Sequence, residues 1–194
     1  DGIDFIKAMN LSKVNIMGFS MGGFVAQRIV LTEPDLINKI ILADSGPKGA
    51  IGLSNLPNII AGTAGLSPEE SYLKFGFTNS PSSIAAGKAS FTRVHLRTID
   101  RDPALGDATS TAQFTAVLEW AMPNASALDE IKTIKKPVLI VHGDKDLPIA
   151  IQNAYNMKQN LDNSELLEFS DSGHAAFYQN YEAFLTKAVA FLGQ

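Results

Sequence analysis

The stretch VNIMGFSMGGFVAQRIV, residues 14–30, decides the fold predicted for this chain. Its first residues form a compact apolar run, which is typical of a strand buried on both faces. From Gly22 onwards apolar side chains recur at helical spacing, and Pro34 marks the end of that helix. A second apolar run, INKIILADSGP, comes next. A helix between two buried strands predicts a parallel βαβ unit.

The rest of the chain predicts two more strands and a helical insertion. The runs KKPVLIVHGDKD and SELLEFSDSGH read as buried strands, and each is followed by a helix, the first of which opens at Pro148. Residues 47–125 are rich in small and hydroxyl side chains, and there Ser67 and Pro68 predict a helix start. We predict an α/β fold with about four parallel strands, divided into core (1–46), helical insertion (47–125) and core (126–194).

Composition excludes several classes of protein. The chain has 194 residues, of which 45% are hydrophobic, enough for one sizeable core. A net charge of −4 without a basic run argues against nucleic acid as a partner. The absence of cysteine excludes disulfides, zinc-thiolate sites and cysteine catalysis. No apolar run reaches the roughly 18 residues that span a bilayer. We expect a soluble, cytoplasmic chain that uses no metal or organic cofactor.

Ser20 stands at the centre of Gly18-Phe19-Ser20-Met21-Gly22, a GxSxG pattern at the predicted strand-to-helix junction. A sharp turn there would hold the hydroxyl clear of the sheet, and glycines are needed on both sides because larger side chains would collide. The backbone N–H of Met21, at the helix start, would suit an oxyanion. The pattern alone is weak, since a serine in such a turn can simply cap the helix.

Asp146 and His174 favour the nucleophile interpretation. Both follow predicted parallel strands, so they lie at the edge of the sheet where functional groups collect. The order serine, acid, histidine is the one expected for this kind of turn. Asp44 is the next candidate for the acid, since it also follows a strand.

Other polar residues near these turns are given structural roles. Asp144 stands two residues before Asp146. Aspartate is common in turns and at helix caps, so Asp144, like Asp44, could have only such a structural role. His142 ends a strand and is expected to pack beneath the site. His95 lies in the insertion, where a surface role is expected.

With GFSMGG at 18–23, HGDKD at 142–146 and the pair Gly173-His174, the chain resembles the α/β-hydrolase fold superfamily, in its serine-nucleophile branch of esterases, lactonases and haloperoxidases. The resemblance implies that Ser20 is the nucleophile, His174 the base and Asp146 the acid. It also implies that the region between Asp44 and Lys136 corresponds to a variable cap over the site. Apolar pocket candidates in that cap are Phe91, Phe114, Trp120 and Met122, for which core packing is the alternative.

The start of the chain departs from this family pattern. In relatives, several strands and a loop that donates the second oxyanion N–H precede the serine turn, whereas one helix precedes it here. The chain therefore looks like the C-terminal portion of such a hydrolase, and we expect it to be a fragment. The strand before Ser20 would then have an unpaired apolar edge. Its partner would be the missing N-terminal half or a second copy of the chain.

The expected activity is that of a serine hydrolase acting on a small-molecule acyl substrate. It would cleave a carboxylic ester, a lactone or a related acyl compound through an acyl-enzyme. A cofactor-free haloperoxidase or perhydrolase, or a carbon–carbon bond hydrolase, would use the same three residues. From another class, a non-catalytic hydrolase-like binding or receptor module stays open.

Overall fold

The sheet of this protein contains four parallel strands in the computed structural model, which describes residues 1–193. They are β1 (Val14–Phe19), β2 (Ile37–Ala43), β3 (Val138–Gly143) and β4 (Ser164–Phe169), and they lie side by side in chain order. Each neighbouring pair is parallel. The predicted α/β fold with four parallel strands is therefore confirmed.

Helices cover both faces of the sheet. Successive strand residues point to opposite faces, so Ile40 and Ile140 pack into one apolar cluster, and Ile41 and Leu139 pack into the other. The helices in the described residues are α1 (Gly2–Ala8), α2 (Met21–Thr32), α3 (Leu56–Ala61), α4 (Pro68–Gly76), α5 (Pro81–Val94), α6 (Asp107–Trp120), α7 (Ala127–Lys132), α8 (Gln152–Asn160), α9 (Ala176–Gln179) and α10 (Tyr181–Gly193). Helices α3 to α7 all lie between β2 and β3 in the chain.

Two helix starts were predicted from the sequence, one at Ser67 and Pro68 and the other at Pro148. Helix α4 begins with a capping box, in which the Ser67 side chain accepts from the Glu70 N–H and the Glu70 carboxylate accepts from the Ser67 N–H. This start was predicted. Helix α8, in contrast, begins at Gln152 and not at Pro148. The intervening backbone is held elsewhere, because Ile149 N–H donates to Asp146 and Ala150 N–H donates to the Ile51 carbonyl.

The register of the strands brings their final residues together. Phe19 at the end of β1 pairs with Ala43, Ala43 pairs with Val141, and Gly143 pairs with Phe169 at the end of β4. The loops that follow the four strands therefore emerge at one edge of the sheet. These loops carry Ser20, Asp44, Asp146 and His174, which makes this edge the place to look for a site.

Strand β1 forms one side of the sheet. Within residues 1–193 it pairs only with β2, and Met17 on it is 43% exposed. An edge strand presents free N–H and C=O groups that can pair with another strand. None of the helices in this part of the chain combines the length and the apolarity needed to cross a bilayer.

Candidate active site

Ser20 occupies a strained turn between β1 and α2. Its backbone has φ 51° and ψ −119°, in a region that residues with a side chain rarely adopt. The Ser20 N–H donates to the Ala43 carbonyl at 2.9 Å, and its carbonyl accepts from Gly23 N–H at 2.9 Å. A side chain at Gly18 would collide with the backbone of Gly22. Gly18 is thus required by the turn, whereas the prediction for Gly22 was wrong, because a side chain there would meet nothing within 4 Å. The turn places the hydroxyl at the start of α2.

His174 links Ser20 to Asp146. Its Nδ1 lies 2.9 Å from Asp146 Oδ2, and its Nε2 lies 2.9 Å from Ser20 Oγ. Because a carboxylate can only accept, we assign the ring proton to Nδ1, and Nε2 is then free to accept the Ser20 hydroxyl proton. His174 is 2% exposed, so its contact with Asp146 is shielded from water, while its contact with Ser20 is partly buried.

Asp146 is held from a second direction. Its Oδ1 accepts from the Ile149 N–H at 2.9 Å, while Oδ2 faces His174. The carboxylate is buried, and both its oxygens are used. The structure therefore brings together the three residues that the sequence singled out, with Asp146 as the acid in contact with the histidine.

The other candidate groups lie elsewhere in the same loops. Asp144 accepts from the Ser172 N–H at 3.3 Å and lies 3.6 Å from Lys145 Nζ, so it joins two loops. His142 is buried in β3, with Nε2 2.7 Å from the Ile149 carbonyl. His95 is exposed at the end of α5. These placements match the structural roles expected for them.

The loop that carries His174 is fastened to the inserted helices. The Ala175 N–H donates to the Gly76 carbonyl at 2.8 Å. The Phe75 ring meets the imidazole edge-on at a centroid distance of 5.3 Å, and Phe19 lies against it at 5.2 Å. The inserted helices thus help to fix the orientation of the histidine. Sequence reasoning missed Phe75, whose helical spacing in α4 does not show what it faces.

Asp171 also connects the loop that carries His174 to the inserted helices. Its carboxylate accepts from the hydroxyls of Thr78, Ser80 and Ser82, at or near the start of α5. The hydrogen bonds from Ser80 and then Thr78 lower the pKa of Asp171. The charged form of Asp171 therefore favours the folded state.

Replacing Asp171 with asparagine is expected to change how stability depends on pH. A lowered pKa contributes stability above the unfolded value of about 3.9, and that contribution disappears as the pH falls through the folded value. Wild type should therefore exceed Asp171→Asn in melting temperature near pH 6, and the difference should shrink as the pH falls below about 3.9. Thermal unfolding at a series of pH values measures this. Asp102→Asn, at an exposed loop position, should parallel wild type throughout; a constant gap between Asp171→Asn and wild type would contradict the assignment.

An apolar cluster lies beside Ser20. It includes Met21, Phe75, Phe114 and Trp120, packed on Phe24 and its neighbours. Trp120 stacks on Phe24 at 4.9 Å and its indole N–H donates to the Gly46 carbonyl. We call Met21, Phe75, Phe114 and Trp120 the apolar wall.

The other two pocket candidates lie outside the apolar wall. Phe91 packs against Tyr72 and His95, and Met122 is 63% exposed. A cavity of about 540 Å³ adjoins Met21 and Trp120 and extends to α1, although Ser20 itself does not line it. The helical insertion thus contributes to the surroundings of Ser20 through only some of its aromatic residues.

Three buried groups could in principle hold a metal ion. Atoms of Asp44, His142 and Asp146 lie within 4.8 Å of one another. Both oxygens of Asp146 are already engaged, and His142 Nε2 faces the Ile149 carbonyl. Two free atoms are fewer than the three or four protein ligands of typical zinc sites. This donor set therefore does not fit a metal centre.

Comparison with known proteins assigns the family. A family model described as the alpha/beta hydrolase fold matches residues 4–181. The chain belongs to the alpha/beta hydrolase fold family. An alpha/beta hydrolase fold protein from Chitinophaga pinensis has a similar structure, with a TM-score of 0.94 and 33% identity over 99% of this chain and 69% of that chain.

Two curated relatives have lower identity over nearly the whole chain. Uncharacterized protein Rv2715 of Mycobacterium tuberculosis is 27% identical over 97% of this chain. A protein of Metapseudomonas resinovorans named 2-hydroxy-6-oxo-6-(2'-aminophenyl)hexa-2,4-dienoic acid hydrolase is 24% identical over 98% of this chain. The chain spans 58% of the length of the first relative and 64% of the second.

Proposed function

We propose that the protein is a serine hydrolase that cleaves a small carboxylic ester, lactone or related acyl compound through an acyl-enzyme. The observation that carries this proposal is the pair of 2.9 Å contacts that His174 makes, one with Ser20 Oγ and one with Asp146 Oδ2. A serine, a base and an orienting acid in this geometry suit acyl transfer. The strained turn at Ser20 supports the proposal, because strained backbone is common at functional sites.

Each residue has a defined role in the proposed reaction. Ser20 Oγ attacks the substrate carbonyl carbon while His174 Nε2 takes the hydroxyl proton, and Asp146 stabilises the resulting imidazolium. His174 then gives that proton to the leaving alcohol oxygen as the C–O bond breaks, leaving an acyl group on Ser20. In the second half, His174 takes a proton from a water molecule as the water attacks the acyl carbon. His174 then gives that proton to Ser20 Oγ as the acyl–Oγ bond breaks and the carboxylic acid leaves.

Met21 is the proposed first donor of the oxyanion hole. Its N–H is the first of α2, where backbone donors have no partner inside the helix. The positive end of the helix also favours the negative oxygen of the tetrahedral intermediate. The family resemblance puts the second donor in a loop that precedes the serine turn in relatives.

The apolar wall is the proposed binding surface for the acyl group. Phe75 touches His174, Met21 follows Ser20 in the chain, and the wall presents no charged side chain. An uncharged acyl chain is therefore the best match. In this proposal the inserted helices act as a cap over the site, and the division at residues 46 and 125 stays a prediction.

Replacing Phe75 with alanine is expected to change acyl preference. The substitution opens space beside His174, so the ratio of kcat/KM for a hexanoate ester to that for an acetate ester should rise by about tenfold. Rates with p-nitrophenyl esters of increasing chain length measure the ratio. Phe91→Ala is the matched control, because it makes the same change outside the apolar wall. A shift caused by Phe91→Ala and not by Phe75→Ala would contradict the assignment of the wall.

A carbon–carbon bond hydrolase is the alternative that a specific observation favours. The Metapseudomonas resinovorans relative is named as the hydrolase of a dienoic acid. A panel of esters, lactones, peracid-forming reactions and dienoic acids, assayed with the natural full-length protein, tests both functions. Ester or lactone turnover supports the main proposal, and turnover of dienoic acids alone supports the alternative. Ligand binding without any turnover would favour a non-catalytic binding module.

A further inference from the structure

Asp44 places a second carboxyl group beneath the Ser20–His174–Asp146 arrangement. It follows β2 with a backbone φ of 44°, and it is fully buried. Its Oδ1 accepts from the N–H of Gly143, the last residue of β3, at 3.1 Å. Its Oδ2 is buried and has no hydrogen-bond partner in the part of the chain that the structure describes. The proposed reaction makes no use of this group.

His142, close to Asp44, also has a buried atom without a hydrogen-bond partner. Its Nε2 must carry a proton, because it lies 2.7 Å from the Ile149 carbonyl, which can only accept. Its Nδ1 is buried and likewise lacks a partner among residues 1–193. Atoms of Asp44, His142 and Asp146 lie within 4.8 Å of one another. Two buried polar atoms without partners in one cluster call for an explanation.

The charges of the cluster indicate which group holds a proton. Asp146 accepts from the Ile149 N–H and from His174, and Asp44 accepts from the Gly143 N–H at 3.1 Å. Two negative carboxylates so close in a dry site repel each other. Burial, and then the charge of Asp146, raise the pKa of Asp44 well above its ordinary value, and together they outweigh the backbone N–H groups of Gly143, Ala176 and Phe177, which lower it.

His142 is the complementary group in this cluster. Burial lowers the pKa of His142, although the charge of Asp146 opposes this; His174 and Glu168 also face it. Neutral His142 leaves a lone pair on Nδ1, which can accept a hydrogen bond.

We propose that Asp44 is a positioning residue that stays protonated and donates its hydroxyl proton to one buried water, which in turn donates to Nδ1 of His142. This water-mediated link gives both unused atoms a partner. It also continues through the site, because His142 Nε2 donates to the Ile149 carbonyl and the Ile149 N–H donates to Asp146. Asp44 would thus hold the acid of the proposed triad in place, and this role rests on the proposed function.

Two substitutions at Asp44 separate this role from that of a charged acid. Asp44→Ala leaves His142 Nδ1 without a donor and should lower kcat by about tenfold. Asp44→Asn keeps the size and supplies an amide donor, so it should restore kcat to within about threefold of wild type with the same pH profile. Asp146→Asn is the matched control and should lose about 10⁴-fold in kcat. A loss of that size in Asp44→Asn would mean that Asp44 acts as a carboxylate, and the proposal would be wrong.

The protonation of Asp44 can also be measured in the wild-type protein without substrate. At pH 7, carbon-13 NMR of the assigned Asp44 carboxyl should show the protonated form, and nitrogen-15 NMR should show His142 neutral with its proton on Nε2. An ionised Asp44 at pH 7 would overturn the proposal, whether or not the variants fold. Because this readout needs no turnover, it remains informative even if Ser20 proves not to be a nucleophile.

Discussion

Replacing Ser20 with alanine is expected to lower kcat for ester hydrolysis by about 10⁶-fold. The hydroxyl is the only group of the proposed triad that bonds to the substrate, and its removal leaves His174 and Asp146 without a nucleophile to activate. Residual catalysis would come from substrate binding and the oxyanion hole alone. Steady-state rates with the best ester from the substrate panel measure the effect.

The control for this substitution is Ser54→Ala, which removes an exposed hydroxyl in a short turn of helix and has no role in the proposed reaction. It should leave kcat unchanged. If Ser20→Ala retained kcat within about tenfold of wild type, the reaction would need another nucleophile. The account of the strained turn as a catalytic device would then be wrong.

Replacing His174 with alanine is expected to cause a loss of the same size, about 10⁶-fold in kcat. Without the imidazole, the Ser20 hydroxyl has no base at 2.9 Å to take its proton. Because the two residues act as a unit, Ser20→Ala combined with His174→Ala should be no slower than either single variant. Rates of the two single variants and the double variant measure this.

His95→Ala is the matched control for the histidine, since His95 is exposed at the end of α5. Its kcat should equal that of wild type. If the losses from Ser20→Ala and His174→Ala multiplied in the double variant, the two residues would act independently. Such a result would contradict a shared proton transfer.

Much of the fold could be predicted because short apolar runs and helical spacing alternate clearly along the chain. The run before Ser20 and the run before Asp44 became β1 and β2, and the helix between them required these strands to be parallel. The start of α8 could not be predicted from Pro148. There, the Ile149 N–H donates to the Asp146 side chain, and the Ala150 N–H donates to the backbone carbonyl of Ile51. Both contacts depend on the three-dimensional fold.

The residues of the candidate site could be predicted from the sequence, but the contacts between them could not. Asp44 and Asp146 both follow strand ends, and in the sequence they look alike. What distinguishes them is three-dimensional, since the Asp146 carboxylate contacts His174 while Asp44 lies beneath and contacts Gly143. The unused atoms of Asp44 and His142 depend on burial at two separate strand ends, and no local pattern reveals them.

The helical insertion was least predictable. Its helices are rich in small residues, so spacing alone does not say which side faces Ser20. Phe75 contacts His174 although no motif marks it, whereas Phe91, a predicted pocket residue, packs against Tyr72. Side-chain direction in such helices is decided by how they pack on the sheet, which the sequence does not state.

The most direct test of the proposed nucleophile is covalent labelling with a fluorophosphonate, followed by mass spectrometry of the digested protein. The experiment uses the natural full-length protein, and His174→Ala serves as the comparison. We predict one phosphonyl group, attached to Ser20, and much slower labelling when His174 is absent. A protein that stays unlabelled, or that carries the label on another serine, would contradict it.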